Sequence, residues 1–485
     1  MSFQLRTTVA FTLLAHIVFG QVSLASAQEG GASRAWKKAD PNATSYFVPL
    51  GAGRWTEVSE QGQSFSFQET KQLEDIVEIF DPGRNIRIRL AAGRSELSVD
   101  GRPFARWVAG SWLPVSRLPE FARLEPIDHV VRLIYFVPTD REPTANYRQK
   151  IRCLMDFVNS FYRQEFKRRG WPDRGLQFQR DGQGEFVVHF LRGKHNAAHY
   201  SGSPQYDVYK QIDEFAKEIP RSIGSPGNHL IVGFLETYDA GPHAFEWPGG
   251  VALGGQRSPD GGLAVFSSWI LRDEFCATDA QAQLKLFQDE TPMQGRTALG
   301  HGRPNSPRFE FIEDGFGAVI HEVGHALGLP HDIREDSLYI MANGFRQLRV
   351  NLTEPRFGDR HVRFSDANAN FLRVSRHLSV QQEGELDQQP PEFQATAKQL
   401  AQGGAIEVSF QATDNAALAC WQCYVPAYGS IIGGDVLNGA SATQTVQIPL
   451  LKNRDEPITT VQLRVGDAAG NYFQTAVDVQ AADKR

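Results

Sequence analysis

Residues 321–332 read HEVGHALGLPHD, placing three histidines and one glutamate within twelve positions of a 485-residue chain that holds 13 histidines. On a helix each residue advances about 100°, so His321 and His325 lie one turn apart on one face. Neutral imidazoles at that spacing can share one tetrahedral ion at about 2.0–2.1 Å. Glu322 stands about 100° round the helix from His321. It is poorly placed to join the ion and well placed to take a proton from a water activated there. Gly328 lets the chain leave the helix through a left-handed turn, and His331 can then swing back as a third ligand. Three protein ligands leave a fourth position for water, the mark of a catalytic rather than a structural zinc. Zn2+ is therefore the expected cofactor, with His321, His325 and His331 as ligands and Glu322 as general base. A downstream carboxylate, Glu354, is the alternative third ligand.

The element that must hold these side chains is a helix over residues 314–328, with Asp314 as N-cap and Gly328 at the exit. Phe316, Val319, Ile320, Val323 and Leu327 cluster on the face away from the histidines. That face can dock on a sheet while both imidazoles project into a cleft.

HEVGHALGLPH resembles the HExxHxxGxxH signature of the metzincin metalloproteases. The resemblance implies a zinc peptidase and a Met-turn, a tight turn whose methionine floors the zinc ligands. Ser337-Leu338-Tyr339-Ile340-Met341-Ala342-Asn343-Gly344 fits that turn, with Met341 one of only four methionines. Asp332 after the third histidine is similar to the adamalysin-like branch. Ile340 stands where that branch has a cysteine, and Asn343 where astacin-like members have a tyrosine. The family fold also implies an antiparallel edge strand that pairs with an extended peptide substrate. Leu263–Ser267 is the candidate for it, which makes Leu263, Ala264, Val265 and Phe266 the expected substrate-binding residues. Residues 28–128 contain no cysteine, which excludes a cysteine switch. The resemblance covers roughly residues 128–380.

The elements around the motif follow the same order as the family fold. Val130–Val137 is a nearly continuous apolar run, as in a strand buried on both faces. Tyr147, Ile151, Leu154, Val158, Phe161 and Tyr162 recur at helical spacing. Strands are expected at Phe186–Leu191, Leu230–Leu235 and Leu263–Ser267, and helices at Tyr206–Ile219 and Asp366–His377. Residues 272–312 read as a long polar connection. Ahead of this region, Ser64–Phe67, Ile76–Phe80 and Ile86–Leu90 carry strand patterns, the last two separated by a turn signal at Asp81–Asn85. Beyond it, short strands from Ile406 to Val479 suggest an immunoglobulin-like sandwich.

The expected fold class is thus an α+β metzincin-like catalytic domain, a mixed sheet with long helices, at 128–380. A β-rich N-terminal module at 28–127 precedes it, and a linker at 381–392 leads to a C-terminal all-β immunoglobulin-like sandwich at 393–485. At the start, Arg6, an apolar stretch and Ala25-Ser26-Ala27 read as a secretory signal peptide over 1–27, which implies a secreted, periplasmic or cell-surface protein. No later run is apolar enough to span a bilayer. The four cysteines could pair in three connectivities in an oxidising compartment, and Cys420 and Cys423 read as a structural bridge in preference to a redox or metal motif. A net charge of −6, with 41% hydrophobic and 22% charged residues, describes a globular protein with no electrostatic call for nucleic acid. The expected function is a secreted zinc-dependent endopeptidase acting on protein or peptide. An exported adhesion or polysaccharide-binding protein with an inactive zinc site is the alternative.

Overall fold

Val131–Val137 forms a strand buried at every position, as its unbroken apolar sequence requires, and the central sheet is built outward from it. The computed structural model describes residues 34–481 apart from 40–43, 52, 61–63, 74, 82–83, 202–206, 240–251, 259, 295–304, 354–357, 379–386, 388, 401–403 and 452–456. The expected signal peptide and most of the expected linker lie outside the described residues. So does Glu354.

The central sheet has five strands in the order Val188–Arg192, Val131–Val137, Leu230–Leu235, Gly262–Ser267 and Ala252–Arg257. The first four are mutually parallel and the last is an antiparallel edge. Parallel strands need helical crossovers and cover on both faces. Tyr147–Arg168 and the motif helix Arg308–Ala326 supply one cover, and Val208–Glu218 packs with the other face. The Tyr162 hydroxyl donates to the Ile320 carbonyl at 3.1 Å, tying the long helix to the motif helix. Asp207 caps Val208–Glu218 and Ser365 caps the last helix, Asp366–Val374.

Three elements depart from the expectations. The edge strand is Ala252–Arg257, a stretch whose Gly254 and Gly255 obscure the strand pattern. Leu263–Ser267 is an interior strand instead. The polar connection at 272–312 contains a helix, Ala280–Phe287, capped by Asp279. The motif helix begins at Arg308 after Pro307, six residues before Asp314. Asp314 is buried inside it rather than capping it.

Before the central sheet, residues 34–114 form a nine-stranded antiparallel sheet. It curls far enough for Trp36 Nε1 to donate to the Ala91 carbonyl at 2.9 Å. Its Arg54 reaches Asp260, in the turn after the edge strand, at 2.9 Å. After the central sheet, residues 392–480 form seven strands in the order 430–436, 418–425, 460–467, 472–480, 392–399, 405–413 and 441–449. This sheet doubles back so that Phe410 meets Trp421 with ring centroids 5.5 Å apart.

Cys420 and Cys423 are both free thiols, not the expected bridge. Residues three apart on a strand point to opposite faces. Cys420 packs into the central core and Cys423 into the core of the C-terminal sheet. Burial pushes both thiols up to about 12. No helix among the described residues is long and apolar enough to cross a membrane.

His129 and His377 meet edge to face where the last helix passes the start of the central sheet, and His377 Nδ1 donates to the His129 carbonyl at 2.9 Å. Burial lowers His129 to about 4 and His377 to about 3. A folded-state pKa below the unfolded value near 6.5 gives stability that is full above pH 6.5 and lost as pH falls toward the folded value. We predict that His377→Gln, which keeps a donor for the His129 carbonyl, loses stability less steeply below pH 6.5, by about 1.4 kcal/mol per pH unit. Urea unfolding at pH 7 and pH 5 measures the difference. Equal slopes in the two proteins would show that His377 does not contribute.

Candidate metal centre

The motif helix turns Phe316, Val319, Ile320 and Val323 into the central core and leaves His321 and His325 facing outward over its last turns. Gly328 takes φ +90°, and a Cβ there would stand 2.5 Å from the Arg257 side chain. Only glycine meets both conditions. The chain then reverses through Pro330 and brings His331 over the helix. His321, His325 and His331 are thereby assembled, their ligand nitrogens all within 4.8 Å of one another.

Their orientation follows from the backbone. His321 Nδ1 donates to the Ile340 carbonyl at 2.6 Å, and His325 Nδ1 donates to the Leu329 carbonyl at 2.7 Å. A carbonyl only accepts, so each Nδ1 carries the proton and each Nε2 presents a lone pair. His331 Nε2 lies 3.2 Å from His321 Nε2 and 3.1 Å from His325 Nε2. A tetrahedral ion with bonds of about 2.0–2.1 Å spaces its ligand atoms about 3.3 Å apart. Burial lowers His321 to about 3 and His325 to about 4, each aided by a neighbouring histidine. Burial lowers His331 as well. All three rings are therefore neutral near pH 7, the form that binds metal.

Met341 is fully buried beneath the helix, where a Cβ on Gly324 would stand 2.5 Å from its Sδ. The Met341 carbonyl accepts from Asp332 N at 3.1 Å. The same turn thus packs under the ligands, orients His321 through Ile340 and fixes the residue after His331. Asp332 is wholly buried and held by Arg334 at 2.8 and 2.6 Å. The Phe345 ring sits 5.4 Å from that of His321.

Glu322 lies against the edge strand. Burial pushes its carboxyl up to about 7, a rise that the nearby Gly255 N–H partly offsets. The strand approaches so closely that a Cβ on Gly255 would be 2.1 Å from the Glu322 carbonyl oxygen. Gly255 was missed in the sequence, although a glycine inside a strand is the usual sign of close backbone approach. By contrast, Leu263, Ala264, Val265 and Phe266 are each 0–1% exposed. They are flanked on both sides by strands, so they cannot pair with a substrate, and the strand beyond them is the one at the edge.

A cavity of about 310 Å³ opens beside His325 and His331. Gln422, Tyr424, Gln462, Arg464 and Gln474 of the C-terminal sheet form its other wall. No local sequence pattern points to this wall, because its strands begin at Leu418, far downstream of the motif.

Residues 139–369 match the model of a family described as "Metallopep: Putative peptidase family", which supports a metallopeptidase. Among solved structures, wild-type OgpA from Akkermansia muciniphila is similar at 18% identity, covering 73% of this chain and 92% of its own, with a TM-score of 0.49. Catalytically inactive OgpA in complex with an O-glycopeptide (glycodrosocin) substrate is similar at 17% identity, covering 73% and 93%, with a TM-score of 0.48. No curated protein matches the chain.

Gly255→Ala forces the edge strand away from the helix. It is expected to cost about 1–3 kcal/mol as an overpacked contact and to draw the residue 255 N–H away from Glu322. Urea unfolding measures the loss, and wild-type stability would show that the strand yields freely.

Proposed function

We propose that the chain is an exported zinc metalloendopeptidase of the metzincin type, with His321, His325 and His331 as ligands and Glu322 as general base. The observation that carries this reading is the convergence of three imidazole Nε2 atoms, two with their Nδ1 protons fixed on backbone carbonyls and borne by a helix whose next residue after the first histidine is the half-buried Glu322. The donor set suits zinc, for which neutral imidazole is a preferred ligand. Bound there, zinc supplies Lewis-acid polarisation of the scissile carbonyl and acidifies water.

The protein's own groups do the rest. Glu322, drawn up to about 7 by burial, takes the proton from water as it attacks and delivers it to the departing amine. No covalent link to the enzyme forms. An extended peptide adds to the outer side of Ala252–Arg257, where main-chain hydrogen bonds set its register. The buried strand 262–267 serves only to brace that edge.

Met341 acts as the Met-turn residue beneath the ligands. The C-terminal sheet has the strand content of an immunoglobulin-like sandwich, and the signal-peptide reading of residues 1–27 supports export.

Glu322→Gln is expected to retain bound zinc and to lose about 10²–10⁴-fold in peptide hydrolysis. Metal analysis and cleavage of a diverse peptide library by the full chain, with and without chelator, test this. Cleavage by the variant at the wild-type rate, or cleavage indifferent to chelator, would sink the assignment.

A further inference from the structure

The loop from Gly328 to Ile333 carries the third ligand and belongs to neither helix nor sheet. Its backbone groups must therefore find partners elsewhere, and those partners set where His331 points. The Met-turn supplies one, through Met341 and Asp332 N. The last helix supplies another, since Asn368 Nδ2 donates to the Pro330 carbonyl at 3.1 Å.

The end of the motif helix holds Gly328 and Leu329, and three further bonds come from the C-terminal sheet. Arg464 Nη1 donates to the Gly328 carbonyl at 2.6 Å. Ile431 N donates to the carbonyl of His331 itself at 2.9 Å. Ser430 Oγ accepts from Ile333 N at 3.0 Å. The sheet also stands behind the helix contact, because Gln422 Nε2 donates to Asn368 Oδ1 at 3.0 Å.

These groups are themselves held. Ser430, Gln422 and Asn368 are buried. The Arg464 guanidinium lies over Tyr472 at 4.6 Å and donates from Nε to Gln474 Oε1 at 3.0 Å. Tyr472 also meets Arg257 at 4.1 Å, the side chain that covers Gly328. The glycine exit is thus gripped through its carbonyl by one arginine and covered by the other.

We infer that the C-terminal sheet positions the third metal ligand, so that Arg464 and Ser430 govern zinc affinity by way of His331 without touching the ion. This rests on the three-histidine centre proposed above. It makes the C-terminal sheet a part of the site. His321 and His325 are ordered by the motif helix, and the sheet acts selectively on the one ligand the helix does not carry.

The test measures zinc affinity of the full chain by competition with a chromophoric chelator, in Arg464→Met, Ser430→Ala, His331→Ala and the two double variants with His331→Ala. Groups that orient a ligand typically contribute 10–100-fold in metal affinity. Arg464→Met is therefore expected to weaken zinc binding by about 10-fold or more, and Ser430→Ala by a smaller factor in the same direction. In the His331→Ala background both effects should shrink to about twofold or less, because the coupling runs through that ligand. A general packing defect would persist there undiminished, and that result overturns the proposal. So does wild-type affinity in both single variants. Ser430→Ala removes one oxygen and keeps the argument testable if Arg464→Met does not fold. If His331→Ala itself binds zinc as tightly as wild type, the three-histidine centre is wrong and this inference falls with it. If only His331→Ala loses zinc, the centre stands and the sheet is not its support.

Discussion

His321 and His325 present Nε2 lone pairs toward one point, and the third nitrogen, His331 Nε2, reaches that point only because the chain beyond the helix is held there. Bringing His331 Nε2 to 3.2 and 3.1 Å from its two neighbours is therefore a geometry the polypeptide must enforce. Much of the surrounding architecture can be read as the means of enforcing it. The helix provides two of the rings at fixed spacing. The carbonyls of Ile340 and Leu329 choose the tautomer, and burial removes the competing proton. Bound as proposed, a metal ion would find its ligands already ordered.

The same constraint explains the glycines. Gly255, Gly324 and Gly328 lie where the edge strand, the methionine beneath the helix and an arginine side chain approach the motif more closely than a Cβ allows. Each absence of a side chain lets another element reach the site: a backbone N–H near Glu322, a soft thioether floor, and the reversal that returns His331. Apolar packing holds the helix to the sheet, but these contacts decide how its polar face is used.

How much of this was legible beforehand differs from element to element. The motif, the apolar face of its helix and the continuous strand at 131–137 follow from short-range periodicity and residue chemistry, and all three were readable. The start of the helix was not, because Asp314 has the chemistry of a cap and yet sits in a longer apolar helix that buries it. The edge strand was misplaced for a related reason. Leu263–Phe266 has the unbroken apolar character of a strand covered on both faces, the same signal that identified the interior at 131–137. Gly254 and Gly255 lack the side chains from which strand periodicity is read. The pairing of Cys420 with Cys423 looked natural by number and fails by direction, since the two point into different cores. The wall built by Gln422, Tyr424 and Arg464 had no local signature at all, being a product of tertiary packing.

The bond from Ile431 N to the His331 carbonyl also has a bearing on the order in which the protein is made. A chain grows from its N-terminus, and its parts begin to fold as they emerge. The histidines at 321, 325 and 331 are all translated well before the strands at 430–436 and 460–467 that brace the third of them. The nascent chain therefore carries every ligand for a long interval before the full support of the loop exists. The three-histidine cluster proposed to hold zinc is thus fully braced only after the strand at 460–467 has been made.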